Sequence, residues 1–354
     1  MDVFPPSPQP RLVQWMIDTR PLWPEATQTR QLATVASRAL AALLSDEERA
    51  GVLKYFHVQD AKMALASQLL KHLVVARCPG SDGPVPWQQT VISRDVHGKP
   101  VFYRESSGGA QPLIFNVSHQ NGLVVLAAVY GGHLGSSVDS SVDSSAFEVG
   151  IDVVSPRERR TRDHEMIAEE ARRTGAGPTS GWLHFVDVHA DVLSPSEVRY
   201  LKTLTERKDD QRLRLFYGLW CLREAYVKMT GEALLAEWLA ELEFRALRVP
   251  DVPSSLWQSA AADGKDSLQQ GETVIQHDIR FRGVPVGDSV NMCLRSVGTA
   301  YMVCTAVRAA PGHRAVAKNR AHALALPTTD TIELLHMDDI LDFVDRSKPA
   351  NTVS

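Results

Sequence analysis

The run Phe216–Gly231, FYGLWCLREAYVKMTG, constrains this chain more than any other stretch. It reads as helix, ends on a glycine suited to a helix C-terminus, and spaces Trp220, Glu224 and Lys228 four residues apart, so the three share one face with Phe216. A face that begins with an aromatic ring is turned toward an interior or a cleft. There an unpartnered carboxylate costs several kcal/mol or takes up a proton. By itself the Glu224–Lys228 spacing describes an ordinary pair on a solvated helix, stabilising by about 0.3–0.5 kcal/mol. An upstream strand gives it another meaning. In Phe147–Val154, FEVGIDVV, alternation puts Phe147, Val149, Ile151 and Val153 on one face and Glu148 and Asp152 on the other. An edge strand with a wet second face is the plain alternative. If Asp152 and Glu224 meet, a cation or a shared proton must screen them. Magnesium favours one or two carboxylates with water and phosphate oxygens, which points to a polyphosphate-like substrate.

With 354 residues, 44% of them hydrophobic, the chain can build one large domain or two modest ones. A formal charge of -4 leaves no basic footprint for nucleic acid, and no apolar run reaches the roughly 20 residues that span a bilayer. The opening MDVFPPSPQP has neither the basic region nor the apolar core of a secretory signal. Cys78, Cys221, Cys293 and Cys304 are scattered, with no CxxC pair, so neither a disulfide framework nor a zinc site is expected and the cytosol is the simplest compartment.

In chain order, Arg11–Thr19 is expected as a strand, Gln28–Leu44 as helical, Ser45 with Glu48 as a capping box, and Gln59–Ala76 as a helix. Residues 78–87 read as loop, 90–93 as a short strand, and DVHGKP at 95–100 as a turn carrying Lys99. Leu113–His119 and Leu123–Tyr130 flank Asn121-Gly122 and read as a hairpin. Residues 131–146 hold a tandem SSVD repeat, a flexible insertion without chemistry. Residues 155–190 look charged and irregular, Leu193–Arg207 helical, and 250–271 mostly linker-like. Thr273–Phe281, Ser289–Leu294 and Ala300–Val307 are the final strands. Beyond Pro311 a peripheral or partly disordered tail is expected, with one helical patch at Thr331–Val344.

Three segments together, FNVSH at 115–119, VGIDV at 149–153 and WCLREAYVK at 220–228, resemble the signatures of the Sfp-type 4'-phosphopantetheinyl transferases. Gly98-Lys99-Pro100, the helix opening QDAK at Gln59, and SPSEVRYL before the long helix extend the likeness over roughly Arg11–Val307, closest in character to the eukaryotic, broad-range fungal branch. The resemblance implies an α/β (α+β) fold of two similar, pseudo-twofold-related halves, 1–146 and 147–310, with a tail at 311–354. Each half would be a small, mostly antiparallel sheet with packed helices, and coenzyme A would bind in the crevice between them. No internal repeat is visible in the sequence itself.

It further implies a magnesium-dependent transferase that moves 4'-phosphopantetheine from coenzyme A to a serine of acyl, peptidyl and aminoadipate reductase carrier domains, releasing adenosine 3',5'-bisphosphate. Such an enzyme serves nonribosomal peptide, polyketide, fatty acid and lysine synthesis, and the family resemblance favours a monomer. Residue by residue, Asp152 and Glu224 would hold Mg²⁺, Lys228 would contact the pyrophosphate, and Arg49, Arg94, Lys99, Pro100, Asn116, Ser118 and His119 would grip coenzyme A. Either Glu224 or a metal-held water would deprotonate the serine. Two departures stand out: bacterial members often have a third acid where this chain has Val154, and an arginine where it has Met63, beside Lys62. The alternative from another class is a coenzyme A or nucleotide-binding module without catalysis.

Overall fold

Strand alternation and helical periodicity resolve into two units in the computed structural model, which describes residues 1–80, 83–103, 111–131, 146–175, 177–232, 238–251, 268–311 and 316–347. Met1–Val149 with Ala309–Ser354 make the first unit and Gly150–Arg308 the second. The principal elements in chain order are β1 (Arg11–Asp18), α1 (Asp46–Leu53), α2 (Val58–Ala76), β2 (Leu113–Gln120), β3 (Leu123–Tyr130), β4 (Phe147–Val154), α3 (Pro156–Thr174) and α4 (Pro178–Val188). They continue with α5 (Pro195–Lys202), α6 (Asp209–Thr230), β5 (Gln270–Ile275), β6 (Val290–Val297), β7 (Tyr301–Ala309), α7 (Val316–Ala325), β8 (Glu333–Leu334) and α8 (Met337–Arg346). Residues 132–145 and 252–267, which hold the SSVD repeat and most of the linker, lie outside the described residues.

The sheet of the first unit runs β8-β1-β3-β2. The hairpin is antiparallel in the register set by its turn, Leu113 opposite Tyr130 and Gln120 opposite Leu123. Asn121 (φ 48°) and Gly122 (φ 85°) both take the left-handed conformation that a tight two-residue turn with the right strand twist requires. All of β3 is buried. Helix α2 packs on β2 and β3, and Leu69, Leu73, Phe115 and Leu126 share one core with Trp15 and Leu40. The helical stretch at 28–44 is broken: a 3-10 turn at Thr29–Gln31 and short helices Leu32–Val35 and Ser37–Leu43 meet at Ala36, after the β-branched pair Thr34-Val35. Ser93–Arg94 pairs with Pro100–Val101 across the DVHGKP turn.

Residues 316–347 correct the expectation of a peripheral tail. Strand β8 lies parallel to β1, with Trp15 opposite Glu333. Trp15 Nε1 donates to Glu333 Oε2 at 2.9 Å, and Gln14 Nε2 donates to the carbonyls of Thr328 and Asp330 at 3.3 Å. Leu335, Ile340, Phe343 and Val344 enter the core of the first unit.

The second unit has a sheet in the order β5-β6-β7-β4 and a smaller one from Leu242–Phe244, Ile279–Phe281 and Val284–Pro285. Residues 155–190, expected to be irregular, form α3 and α4. Pro156 opens α3 and Gly175 closes it at φ 64°, both ordinary helix boundaries hidden in sequence by a run of charged residues. Helix α6 ends as expected on Gly231, in the left-handed conformation at φ 83°. Phe216, Leu219 and Leu222 of α6 share a core with Trp182, Phe185, Met292 and Leu294.

Candidate active site

In the second unit, β4 is an edge strand, as the plain alternative expected, but its second face is not wet. Helix α6 covers it, and Gly150 is the reason. A Cβ built at Gly150 would stand 2.1 Å from the Ala225 carbonyl oxygen and 2.5 Å from the Met229 nitrogen, so only glycine lets strand and helix backbones approach this closely. That approach brings the two halves of the sequence pattern together. Lys228 Nζ donates to Asp152 Oδ1 at 2.6 Å, with the Asp152 side chain 7% exposed. Glu224, one turn before Lys228, is half-buried. Burial and then the neighbouring Asp152 charge push its carboxyl up to about 7, while Lys228 pulls it down. The face anticipated from sequence is therefore graded: Phe216 is in the core, and Trp220, Glu224 and Lys228 are half-buried. Trp220 packs against Phe216 and edge-on to His189.

The residue next to Glu224 anchors the helix. Arg223 is 2% exposed; it donates to Glu197 Oε2 at 2.7 Å, to the Leu242 carbonyl at 2.8 Å, and to the Leu239 carbonyl. Glu197 also accepts from the backbone N–H groups of Ser194 and Phe244, both at 2.8 Å. Burial raises the Glu197 carboxyl against the pull of Arg223, yet every lone pair in this bridge has a donor. The bridge joins α5, α6 and the strand at 242–244. It fixes the rotation of α6, so Glu224 and Lys228 face β4. Sequence reading passed over Arg223 and Glu197. The available signal was an arginine inside an apolar helix and the SxxE capping box at Ser194.

In the first unit the residues assigned by resemblance are distributed rather than gathered. Lys99 follows a turn in which Asp95 Oδ1 accepts from the N–H groups of His97 (2.9 Å) and Lys99 (2.8 Å), and its Nζ donates to the Val149 carbonyl at 3.0 Å. Asn116 and Ser118 are buried, whereas His119, one residue on and therefore on the opposite face of β2, is exposed. Arg49 pairs with Asp46 on its own helix and does not line the cavity beside α1. Met63, at the position of the bacterial arginine, is 5% exposed, and its Sδ accepts the Gly122 N–H at 3.1 Å, so it braces the hairpin turn. Val154 is a core residue.

That cavity, about 730 Å³, is bounded by α1, α2 and residues 87–100, and Arg94 and Pro100 line it. On its wall Glu48 Oε1 meets His72 Nε2 at 2.8 Å and His72 Nδ1 meets Thr90 Oγ1 at 2.6 Å. Burial opposes the Glu48 charge, but His72 and Ser45 outweigh it and hold the carboxyl at about 2. The Thr90 hydroxyl is spent donating to the Trp87 carbonyl, so it accepts from Nδ1, while the ionised Glu48 accepts from Nε2. The network therefore assigns an N–H to both ring nitrogens of His72. The sequence clue to this wall was Lys71-His72, two polar residues in an apolar helical run.

Among the described residues no group of three or more His, Cys, Asp and Glu side chains is placed to hold a metal ion, and no helix is long and apolar enough to cross a membrane. A pair of carboxylates is nonetheless a sufficient protein contribution for Mg²⁺, which otherwise takes water and substrate oxygens. Asp152 and Glu224 fit it: both are hard oxygen donors, and the first opposes ionisation of the second, as a site wanting a cation does.

Comparison with known proteins agrees with this geometry. Residues 33–131 match the family model "4'-phosphopantetheinyl transferase, N-terminal", and residues 148–262 match "4'-phosphopantetheinyl transferase superfamily". The chain is 44% identical over 304 residues to 4'-phosphopantetheinyl transferase 1 of Fusarium mangiferae, covering 84% of this chain and 87% of that one. It is 32% identical over 328 residues to 4'-phosphopantetheinyl transferase NpgA of Emericella nidulans, covering 87% and 85%. The human L-aminoadipate-semialdehyde dehydrogenase-phosphopantetheinyl transferase is 26% identical over 202 residues, covering 57% and 52%. With Asp152 on its strand, Glu224 and Lys228 on its helix and relatives matched across most of its length, the chain belongs to the 4'-phosphopantetheinyl transferase superfamily.

Proposed function

We propose that this protein transfers 4'-phosphopantetheine from coenzyme A to a serine hydroxyl of an apo carrier domain, leaving adenosine 3',5'-bisphosphate. The observation that carries the reading is the convergence of Asp152, Glu224 and Lys228 on one buried spot in a chain of this family. Asp152 and Glu224 would hold Mg²⁺, which when bound supplies positive charge to the pyrophosphate. Lys228 holds Asp152 in place and offers a second cation to the oxygens of the leaving group. Glu224 has the burial and the carboxyl shift of a group able to accept a proton near neutrality, which supports it as the base for the incoming serine. We assign Lys99, Pro100, Asn116, Ser118 and His119 to coenzyme A on the resemblance alone; the ion pair between Arg49 and Asp46 argues against a similar role for Arg49.

The relatives' names extend the proposal to carriers: one names L-aminoadipate-semialdehyde dehydrogenase, and by family analogy acyl and peptidyl carrier domains are further substrates. The test is a mass-spectrometric assay of apo carriers incubated with the protein, coenzyme A and Mg²⁺. Addition of phosphopantetheine to the carrier, lost on chelation of the metal, is the expected result. Binding of coenzyme A with no modification of any of the three carrier classes would replace the enzyme with a binding module.

A further inference from the structure

Lys71 is the odd member of the cavity wall in the first unit. It is 8% exposed, in the middle of α2, and its ammonium makes no hydrogen bond or ion pair among the described residues, although it borders a cavity of about 730 Å³. The acid nearest in effect, Glu48, has one oxygen on His72 and the other on Ser45. Arg94, on the opposite wall, is close enough that its charge adds to burial in bringing Lys71 down to about 8. A buried cation kept beside a second cation, with no carboxylate of its own, is poorly placed unless an anion enters. The wall as a whole carries Lys54, Lys71, Arg94 and the doubly protonated His72 against Glu47 and Glu48. Its volume is that of a nucleotide-sized site.

We infer that Lys71 and Arg94 form a subsite for a phosphate monoester, the amine as a compact charge and the guanidinium as a planar fork. This rests on the proposed donor. Coenzyme A carries a pyrophosphate, already assigned to Asp152, Glu224 and Lys228, and one phosphate monoester, on the ribose 3' oxygen. Lys71 and Arg94 are thus specificity residues that favour the 3'-phosphorylated donor, at a place where Met63 offers no charge. His72 and Glu48 act on the subsite only by holding the wall.

Calorimetric titration of the full-length protein with adenosine 3',5'-bisphosphate and adenosine 5'-monophosphate tests this without relying on turnover. The wild type is expected to prefer the bisphosphate by about tenfold or more, and Lys71→Met to lose most of that preference, as is the conservative surface change Arg94→Gln. At about pH 8.5, where free Lys71 is largely neutral, wild-type binding should take up a proton, and Lys71→Met should not. Lys71→Met should also melt higher than wild type without ligand, since an unpaired buried charge is removed; a merely structural lysine would give the reverse. An unchanged preference in both variants overturns the inference, as does inorganic phosphate binding as tightly as the bisphosphate. Failure of the wild type to modify carriers, with the preference intact, would count against the proposed function alone.

Discussion

At the scale of single residues, hydrogen bonding decides which charges the fold can hold. Glu48 caps α1 through Ser45 and reaches His72 on α2, so one carboxylate joins two helices. Its carboxyl is held at about 2 in the folded protein against an ordinary 4.5. A folded value below the unfolded one means the stabilisation is fully present above pH 4.5 and is lost as the pH falls toward 2. Glu48→Gln is therefore expected to lower the melting temperature at neutral pH by about 2–4 °C, and the gap to wild type should close on acidification across that window. A gap that is constant from neutral pH to about 2 would mean the pairing with His72 contributes nothing. The capping half of this arrangement was readable, because Ser45 and Glu48 are three residues apart. The His72 half was not, because it depends on how α1 and α2 pack.

At the scale of elements, the site follows from one close crossing. Gly150 lets α6 lie on β4, and Arg223 with Glu197 sets which way α6 is turned. A methyl group at Gly150 would collide with backbone rather than with a flexible side chain, so relief requires moving the helix. Gly150→Ala is expected to cost about 1–3 kcal/mol or more in thermal or denaturant unfolding and to reduce transfer further than that loss explains, because Lys228 and Glu224 would be drawn off Asp152. Full transfer by a stably folded Gly150→Ala protein would show that the crossing does not set the site.

Elements fixed by local rules, such as the Asn121-Gly122 hairpin and the Gly231 stop, were legible from the sequence. Helix α3 was missed because its charged residues hide the period, and the break at Ala36 because nothing polar marks it. The meeting of Asp152 with Glu224 was inferred only from two acids in apolar frames. Gly150 was visible as a letter in VGIDV, but its purpose appears only when α6 is placed against it.

At the scale of the molecule, the chain returns to its first unit at the end. Strand β8 covers the outer edge of β1, Glu333 accepts from the buried Trp15, and Leu335, Ile340, Phe343 and Val344 fill the same core as Leu40 and Phe115. These contacts join residues more than three hundred positions apart, beyond any local pattern. That distance is why the sequence suggested a peripheral tail. Each of the four apolar side chains contributes about 1.5–3 kcal/mol by burial, so ending the chain at Pro311 should destabilise the first unit by several kcal/mol. Loss of the cooperative transition, or new binding of a hydrophobic dye at ambient temperature, is the expected outcome. An unaltered melting curve would show the segment to be dispensable.

The central claim is that Asp152 and Glu224 act as one site for the pyrophosphate of coenzyme A. Its most direct test is the rate of phosphopantetheine transfer to an apo carrier by Glu224→Gln at saturating Mg²⁺, set beside coenzyme A binding by the same variant. The expected result is a loss of about 10²–10³ in rate with coenzyme A still bound. Transfer by Glu224→Gln at the wild-type rate would contradict it.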